Sequence, residues 1–374
     1  MSLRIGVVGA AYAASAHLPA YAALAADGVA EVVAVATARA ATGEQVARSF
    51  GIRHVHVGFE SLCADPDVDL VDVATRPSRH RAMAVAALAA GKHVLCEAPL
   101  AATTADGEAM VLAAAGAGVL GVVDMQSRYW PGALELRRLV AEGYLGRVQN
   151  IAATAFYPTF TRIEAVAASG WCADASEGAS SLRVHGLHTA DLIRWAFGEL
   201  TRVSGVTATL TSSWPGRDGP VTSADSAAYT AVIGDGPGAG AVCSVHTSWT
   251  AAAGSGWRLA AYGSEGVLVA SADGHTGHFP VRLEGARLEG ARGGAGLETL
   301  VAPEAGVPSW YPFGALVREL AGRLAGESGA AAESKAAEAS GWLGDVPMFA
   351  DGVAALRVAE AVEAGAVQAG EGEG

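Results

Sequence analysis

Along the first third of the chain, short apolar runs alternate with segments whose apolar residues recur at helical spacing. Leu3 to Val8 is a mostly apolar run that stops at Gly9, which predicts a strand entering a glycine turn. Ala14 to Ala26 predicts a helix, Glu31 to Ala36 a second strand, and Thr42 to Phe50 a second helix. Leu70 to Ala74 predicts a strand, His80 to Ala90 a helix, and His93 to Cys96 a buried strand after the helix-ending Ala89-Ala90-Gly91. Repeated β-α units of this kind predict an α/β fold, a doubly wound parallel sheet of the Rossmann type. Ligands of such sheets bind at the carboxyl ends of the strands, which here are the Gly9 turn, the Thr75 to His80 loop and Glu97-Ala98-Pro99.

The pattern changes after Met125. Gly132 to Glu142 is helical in spacing, and Gly143 to Val148 is a turn feeding a strand. Val203 to Leu210, Ala227 to Ile233, Gly240 to Thr250, Trp257 to Gly263 and Gly266 to Ala270 then predict strands of a large open, mainly antiparallel sheet in an α+β domain. Val346 to Glu363 is a closing helix, Gly326 to Ser340 a mobile surface loop, and the acidic end a disordered tail. The expected division is residues 1–125 for dinucleotide binding, 126–364 for substrate and oligomer contacts, and 365–374 for the tail. A chain of 374 residues exceeds the size at which single cores usually split.

Composition narrows the partners. A net charge of −13 argues against nucleic acid or an anionic membrane surface. Cys63, Cys96, Cys172 and Cys243 form no CxxC pair, which reads as reduced thiols with neither a zinc site nor a disulfide framework. The amino terminus runs straight into a strand and no apolar run approaches membrane-spanning length, so the expectation is a cytoplasmic protein without a signal peptide.

The dinucleotide fingerprint G-x-G-x-x-G is present in altered form as Gly9-Ala10-Ala11-Tyr12-Ala13-Ala14. Ala11 stands where glycine normally lets the backbone approach a pyrophosphate, so the alternative is a strand-to-helix turn that no longer binds a nucleotide. Binding is favoured because a helix amino terminus still offers oriented N–H groups. An acid that would bond the ribose hydroxyls is replaced by Thr37, followed by Arg39, a pairing that slightly favours NADP over NAD.

Gly91-Lys92-His93-Val94-Leu95-Cys96-Glu97-Ala98-Pro99-Leu100, preceded by Val73-Ala74-Thr75 and His80, resembles the glucose-fructose oxidoreductase/inositol dehydrogenase (Gfo/Idh/MocA) family. That resemblance implies a lysine at position 98, which positions cofactor and substrate and assists proton transfer. Ala98 has neither donor nor charge, and the chain's two lysines are Lys92 and Lys335. Arg76-Pro77, His80 and Gln126-Ser127-Arg128, together with the lysine-free loop, resemble a subgroup around the fungal galactose-regulon repressor, which keeps the fold and cofactor binding without dehydrogenase activity. The resemblance makes Thr75, Arg76, Pro77, His80, Glu97, Ala98 and Gln126 candidate cofactor contacts beside Gly9, Ala10, Ala11, Tyr12, Ala13, Thr37 and Arg39.

In the second half, Arg183-Val184-His185-Gly186-Leu187-His188-Thr189-Ala190-Asp191 is similar to the family's Asp-x-Gly-x-His-x-x-Asp, with Val184 in place of the first acid. His188 is the candidate general acid/base, because imidazole titrates near neutral pH. His185, Arg183 and Asp191 are the other catalytic candidates; in a helix His185 and His188 share a face, as do His188 and Asp191. The alternative is that these residues only cap and pack the helix, a reading that fits Asp191 better than His188. Two histidines and one acid provide too few ligands of suitable spacing, so no metal is expected. Trp171 and Tyr129 are candidate sugar-stacking surfaces.

Three functions follow. One is an NAD(P)-dependent oxidoreductase of a sugar, cyclitol or related secondary alcohol, a carbohydrate-like small molecule. Another is transient-redox or non-redox chemistry such as elimination, glycosidase, lyase or cyclase activity. The third is a non-catalytic ligand-sensing regulator. The resemblance also implies a homo-oligomer assembled through the C-terminal sheet.

Overall fold

The computed structural model describes residues 2–288, 296–326 and 346–365. The expected loop from Gly326 to Ser340, beyond Gly326 itself, and the expected tail after Gly365 lie outside the described residues. The chain divides into two compact units. The first comprises Met1–Trp130, Ser176–Gly178 and Glu304–Ala354; the second comprises Pro131–Ala175, Ala179–Pro303 and Ala355–Gly374. Glu304–Ala354, assigned to the second domain on sequence grounds, therefore groups with the first.

The first unit holds a six-stranded sheet in the order β3-β2-β1-β4-β5-β6. Its strands are β1 (Leu3–Val8), β2 (Ala30–Thr37), β3 (His54–Val57), β4 (Leu70–Val73), β5 (His93–Cys96) and β6 (Gly121–Val123). All pairings are parallel, with Leu3 opposite Ala30 and Ile5 opposite Leu70. Helices cover the sheet, so β4 and β6 are buried along their whole length, β6 as an apolar run and β4 as one interrupted only by Asp72. The strand order reverses between β1 and β4, the point where such sheets bind ligands.

The helix expected over Ala14 to Ala26 is two pieces, α1 (Ala11–Ser15) and α2 (His17–Ala26), meeting at Ala16. The remaining helices of this unit are α3 (Ala40–Phe50), α4 (Phe59–Cys63), α5 (Pro77–Ala89), α6 (Thr104–Ala117) and, returning from late in the chain, α10 (Tyr311–Leu324). Leu18, Tyr21 and Leu24 of α2 share one core with Phe313, Leu316, Val317 and Leu320 of α10.

The second unit is built on eight strands in the order β14-β13-β12-β11-β7-β10-β9-β8. They are β7 (Val148–Phe156), β8 (Leu200–Ala208), β9 (Ser226–Ile233), β10 (Val242–Ser248), β11 (Gly256–Gly263), β12 (Gly266–Ala272), β13 (Arg282–Arg287) and β14 (Glu298–Val301). The sheet is antiparallel except where β7 and β10 run side by side in parallel. In β10, exposed Val242, Ser244 and His246 alternate with buried Cys243, Val245 and Thr247, so one face is covered and the other open. The helices of this unit are α7 (Pro131–Ala141), α8 (Ile163–Ser169), α9 (Leu187–Phe197) and α11 (Phe349–Ala364), the last beginning in the first unit. Arg137 of α7 lies over the Trp195 ring of α9 at 4.6 Å. No helix among the described residues is long and apolar enough to cross a membrane.

Candidate active site

In the first unit, the carboxyl ends of the strands are stitched into one rim. Gly9 donates its N–H to the Ala36 carbonyl, Ala74 to Val8, Glu97 to Val73 and Asp124 to Cys96. Gly9 has φ +130°, and a Cβ there would lie 2.2 Å from the Ala74 carbonyl oxygen, so this turn demands glycine. Ala10 and exposed Ala11 follow, Ala13 is buried beneath them, and the Tyr12 side chain hydrogen-bonds that of Gln126.

Under this rim lies a cluster that the sequence motifs did not single out. His17, at the start of α2, donates from Nδ1 to Asp72 Oδ2 at 2.8 Å and from Nε2 to Glu97 Oε1 at 2.7 Å. Tyr21 also donates to Asp72 Oδ2, at 3.1 Å, and Phe313 stacks on the His17 ring at 4.0 Å. Burial works against a charged His17, but Asp72 and Glu97 hold its pKa well above the usual imidazole range, so the ring is a cation that donates from both nitrogens. Burial, then the neighbouring Glu97 charge, pushes the pKa of the Asp124 carboxyl well up. The signal for this cluster was an acid inside each of two apolar runs, Leu70-Val71-Asp72-Val73 and Val122-Val123-Asp124.

The other candidate cofactor residues are placed unevenly. Glu97 turns inward to His17, and its Oε2 accepts the Ala98 N–H at 3.0 Å, so its carboxylate is engaged below the loop. Thr37 Oγ1 donates to the Arg39 carbonyl at 2.8 Å, closing its own turn, while Arg39 is exposed. Thr75 Oγ1 donates to Met83 Sδ. Arg76 is tied to Glu177 at 2.7 Å, and Ser78 donates to the other oxygen of the same carboxylate. Pro77 occupies the first turn of α5, where its missing N–H costs nothing. His80 is buried, and burial lowers its pKa; its Nδ1–H is shared between the Pro99 and Leu100 carbonyls at 3.2 Å each.

In the second unit, Ser181–Gly186 is a π-helical turn that leads directly into α9. Ser180 caps it by accepting the Arg183 N–H at 3.1 Å. The segment carrying His185 and His188 is thus helical, but wider in its first turn than an α-helix. Gly186 sits close against β10, where a Cβ would meet Thr247 Cγ2 at 3.1 Å. Trp257 of β11 donates to Thr189 Oγ1 at 3.0 Å, which fixes α9 one residue beyond His188.

Around this junction aromatic and imidazole rings gather. His185 meets Tyr157 at 5.1 Å, Trp249 at 5.7 Å and His275 at 4.7 Å between centroids; His188 meets His275 at 4.9 Å. Burial, reinforced by His188 and His278, pushes His185 down to about 3, so this ring is neutral. Burial likewise drives His275 far down. The Tyr157 hydroxyl, His185 Nδ1 and Trp249 Nε1 are buried with no hydrogen-bond partner among the described residues. His275 and His278 come from the β12–β13 connection, whose sequence signal was Gly274-His275-Thr276-Gly277-His278.

Arg183, a catalytic candidate by sequence, is taken up by the closing helix. Its guanidinium donates to Glu363 at 2.9 Å and 2.6 Å. Asp191 is fully buried in α9, with Arg194 at 4.0 Å. Trp171 packs against the core containing Trp214 and Trp249, and Tyr129 is buried in the first unit, so both serve as packing residues here.

A family model described as an oxidoreductase family with an NAD-binding Rossmann fold matches residues 3–125, and a GFO/IDH/MocA C-terminal domain model matches residues 133–269. The chain belongs to the GFO/IDH/MocA oxidoreductase family. Among curated members, levoglucosan dehydrogenase of Pseudarthrobacter phenanthrenivorans is 30% identical over 216 residues, covering 56% of this chain and 54% of that one. The match thus spans about half of that relative's length. A solved levoglucosan dehydrogenase in complex with NADH and L-sorbose superposes with TM-score 0.79 at 25% identity, covering 98% of this chain and 97% of that one. The same enzyme with NADH and levoglucosan gives TM-score 0.82 at 23% identity, covering 98% and 97%, and so shares the fold.

Proposed function

We propose that this GFO/IDH/MocA member is an NAD(H)-linked oxidoreductase of a carbohydrate-like secondary alcohol or its ketone, with His188 moving the hydroxyl proton. One observation carries the reading: Tyr157, His185 and Trp249 touch ring to ring beside His275 and His188, and each keeps a buried polar atom that no described residue satisfies. Leaving such an atom unpaired costs about 1–3 kcal/mol. A polyhydroxylated ligand satisfies all three while its ring carbons lie against aromatic faces. Neutral His185 suits hydrogen bonding to a hydroxyl and is too weak a base to take its proton. That task falls to His188, since Ala98 and Val184 offer no proton-transfer group.

The residues that would hold the nicotinamide dinucleotide are those of the β1–α1 turn, where Gly9 is irreplaceable and Ala11 narrows the approach. Bound there, the cofactor supplies the hydride acceptor or donor. With no acid at Thr37 and an exposed Arg39, NADPH binds within about tenfold of NADH. Arg39→Ala weakens NADPH alone.

The open face of the eight-stranded sheet, with Val206 and Val242 exposed among serines and threonines, is proposed to pack against a second copy.

The test supplies NAD+ or NADP+ with levoglucosan, L-sorbose, cyclitols and other polyols, and follows formation of reduced nicotinamide. His188→Ala should lower kcat by about 10² to 10⁴ while the Kd for NADH stays unchanged. A kcat for His188→Ala equal to that of wild type contradicts the reading. A product released with no net reduced nicotinamide assigns the chain to transient-redox elimination, and ligand binding without turnover assigns it to sensing.

A further inference from the structure

The edge of the parallel sheet carries a group of side chains that the oxidoreductase reading leaves unused. β3 reads His54-Val55-His56-Val57, and strand alternation sets both imidazoles on one face. Asp65, in the turn after α4, receives both on a single oxygen: Oδ2 accepts from His54 Nδ1 at 2.7 Å and from His56 Nε2 at 3.0 Å. The rest of Asp65 is pinned. Its Oδ1 accepts the Asp67 N–H at 2.9 Å, and its main-chain carbonyl accepts from Lys92 Nζ at 2.9 Å. The Asp65 side chain is 6% exposed, whereas those of His54 and His56 are 37% and 20% exposed.

Two ring nitrogens and a carboxylate oxygen thus converge within 4.8 Å of one another on a face open to water. In a tetrahedral site with bonds of about 2.0–2.2 Å the donors stand about 3.3–3.6 Å apart, a spacing reached by small rotations of two partly exposed rings. Asp67 Oδ2 lies 3.9 Å from His54 Nε2, behind the ring, where a ligating histidine needs an acceptor for its other N–H.

We propose that His54, His56 and Asp65 form a binding site for a divalent transition-metal ion of the zinc class, with Asp67 supporting His54 and water completing the shell. Mixed imidazole and carboxylate donors take zinc, nickel or copper ahead of magnesium or calcium. The ion ties the edge strand β3 to the turn after α4 and stabilises the first unit by mass action.

Zinc titration of the full-length protein against a chromophoric chelator tests this, with the His275→Ala variant reporting on the other histidine cluster. Wild type and His275→Ala should each take up one zinc with micromolar affinity that the His54→Ala/His56→Ala double variant lacks. Asp67→Asn should weaken uptake by about tenfold. Zinc should raise the Tm of wild type but not of the double variant, and magnesium should raise neither. If the double variant fails to fold, the cobalt-loaded wild type should still show the visible bands of a tetrahedral site with imidazole donors. Absence of micromolar uptake by wild type, identical uptake by a folded double variant, or a cobalt spectrum without those bands overturns the proposal.

Discussion

Gly9 is the residue whose replacement has the most direct structural consequence. Gly9→Ala forces a side chain into a positive-φ position with a 2.2 Å approach to the Ala74 carbonyl. We expect a loss of about 3 kcal/mol or more in urea denaturation together with lost NADH binding. His17 makes a different demand, because its ring is a buried cation between Asp72 and Glu97. Removing one partner of a buried pair costs about 3–5 kcal/mol, so His17→Ala should lower the denaturation midpoint sharply. The pH dependence has a definite sign. His17 has a folded pKa raised above its unfolded value, so its contribution is complete below about pH 6.5 and is lost as pH rises through the folded value. Asp124, also raised, acts in the same direction, since its ionisation is easier in the unfolded chain. Stability should therefore fall as pH rises, through Asp124 from about pH 4 upward and through His17 from about pH 6.5 upward, and Asp124→Asn should flatten the first part of that fall.

At the scale of elements, the junction between the π-helical turn and α9 decides where His188 points. Thr189→Val leaves the Trp257 N–H buried without its acceptor, at a cost of about 1–3 kcal/mol, and should lower kcat more than it raises KM. Arg183→Met, by contrast, should cost about 1 kcal/mol of stability through its partly exposed pairing with Glu363 and leave kcat nearly unchanged. The motif around His188 was legible because the glycine, histidine and acid keep their spacing, but ordinary helical periodicity carries no sign of the wider turn at Ser181–Gly186. Strand β5 was read with its observed ends because His93 to Cys96 is an apolar run bounded by glycine and by Glu97. β3, β6, β13 and β14 went unread: β6 has three residues, and β3, β13 and β14 carry histidine, arginine or glutamate among their few apolar residues, so no apolar run registers. The seating of α10 on the first unit depends on contacts with residues some 290 positions earlier, such as Arg318 with Asp27, which local pattern cannot reveal.

For the whole molecule, the open, mainly antiparallel sheet was legible in the sequence, and the structure adds that buried and exposed residues alternate along β9 and β10, leaving one face open. Light scattering should report a dimer or larger assembly, and Val206→Asp with Val242→Asp should convert it to monomers without loss of helix or strand signal. We propose that this GFO/IDH/MocA chain, with alanine at position 98, oxidises a carbohydrate-like alcohol through His188. Stopped-flow measurement of reduced nicotinamide formation, in wild type and His188→Ala at saturating NAD+ over a sugar and polyol panel, tests it most directly. Wild type should turn over, and the variant should lose a factor of about 10² to 10⁴ at unchanged nucleotide affinity. Equal rates in the two proteins, or no reduction of NAD+ by wild type with any member of the panel, would contradict it.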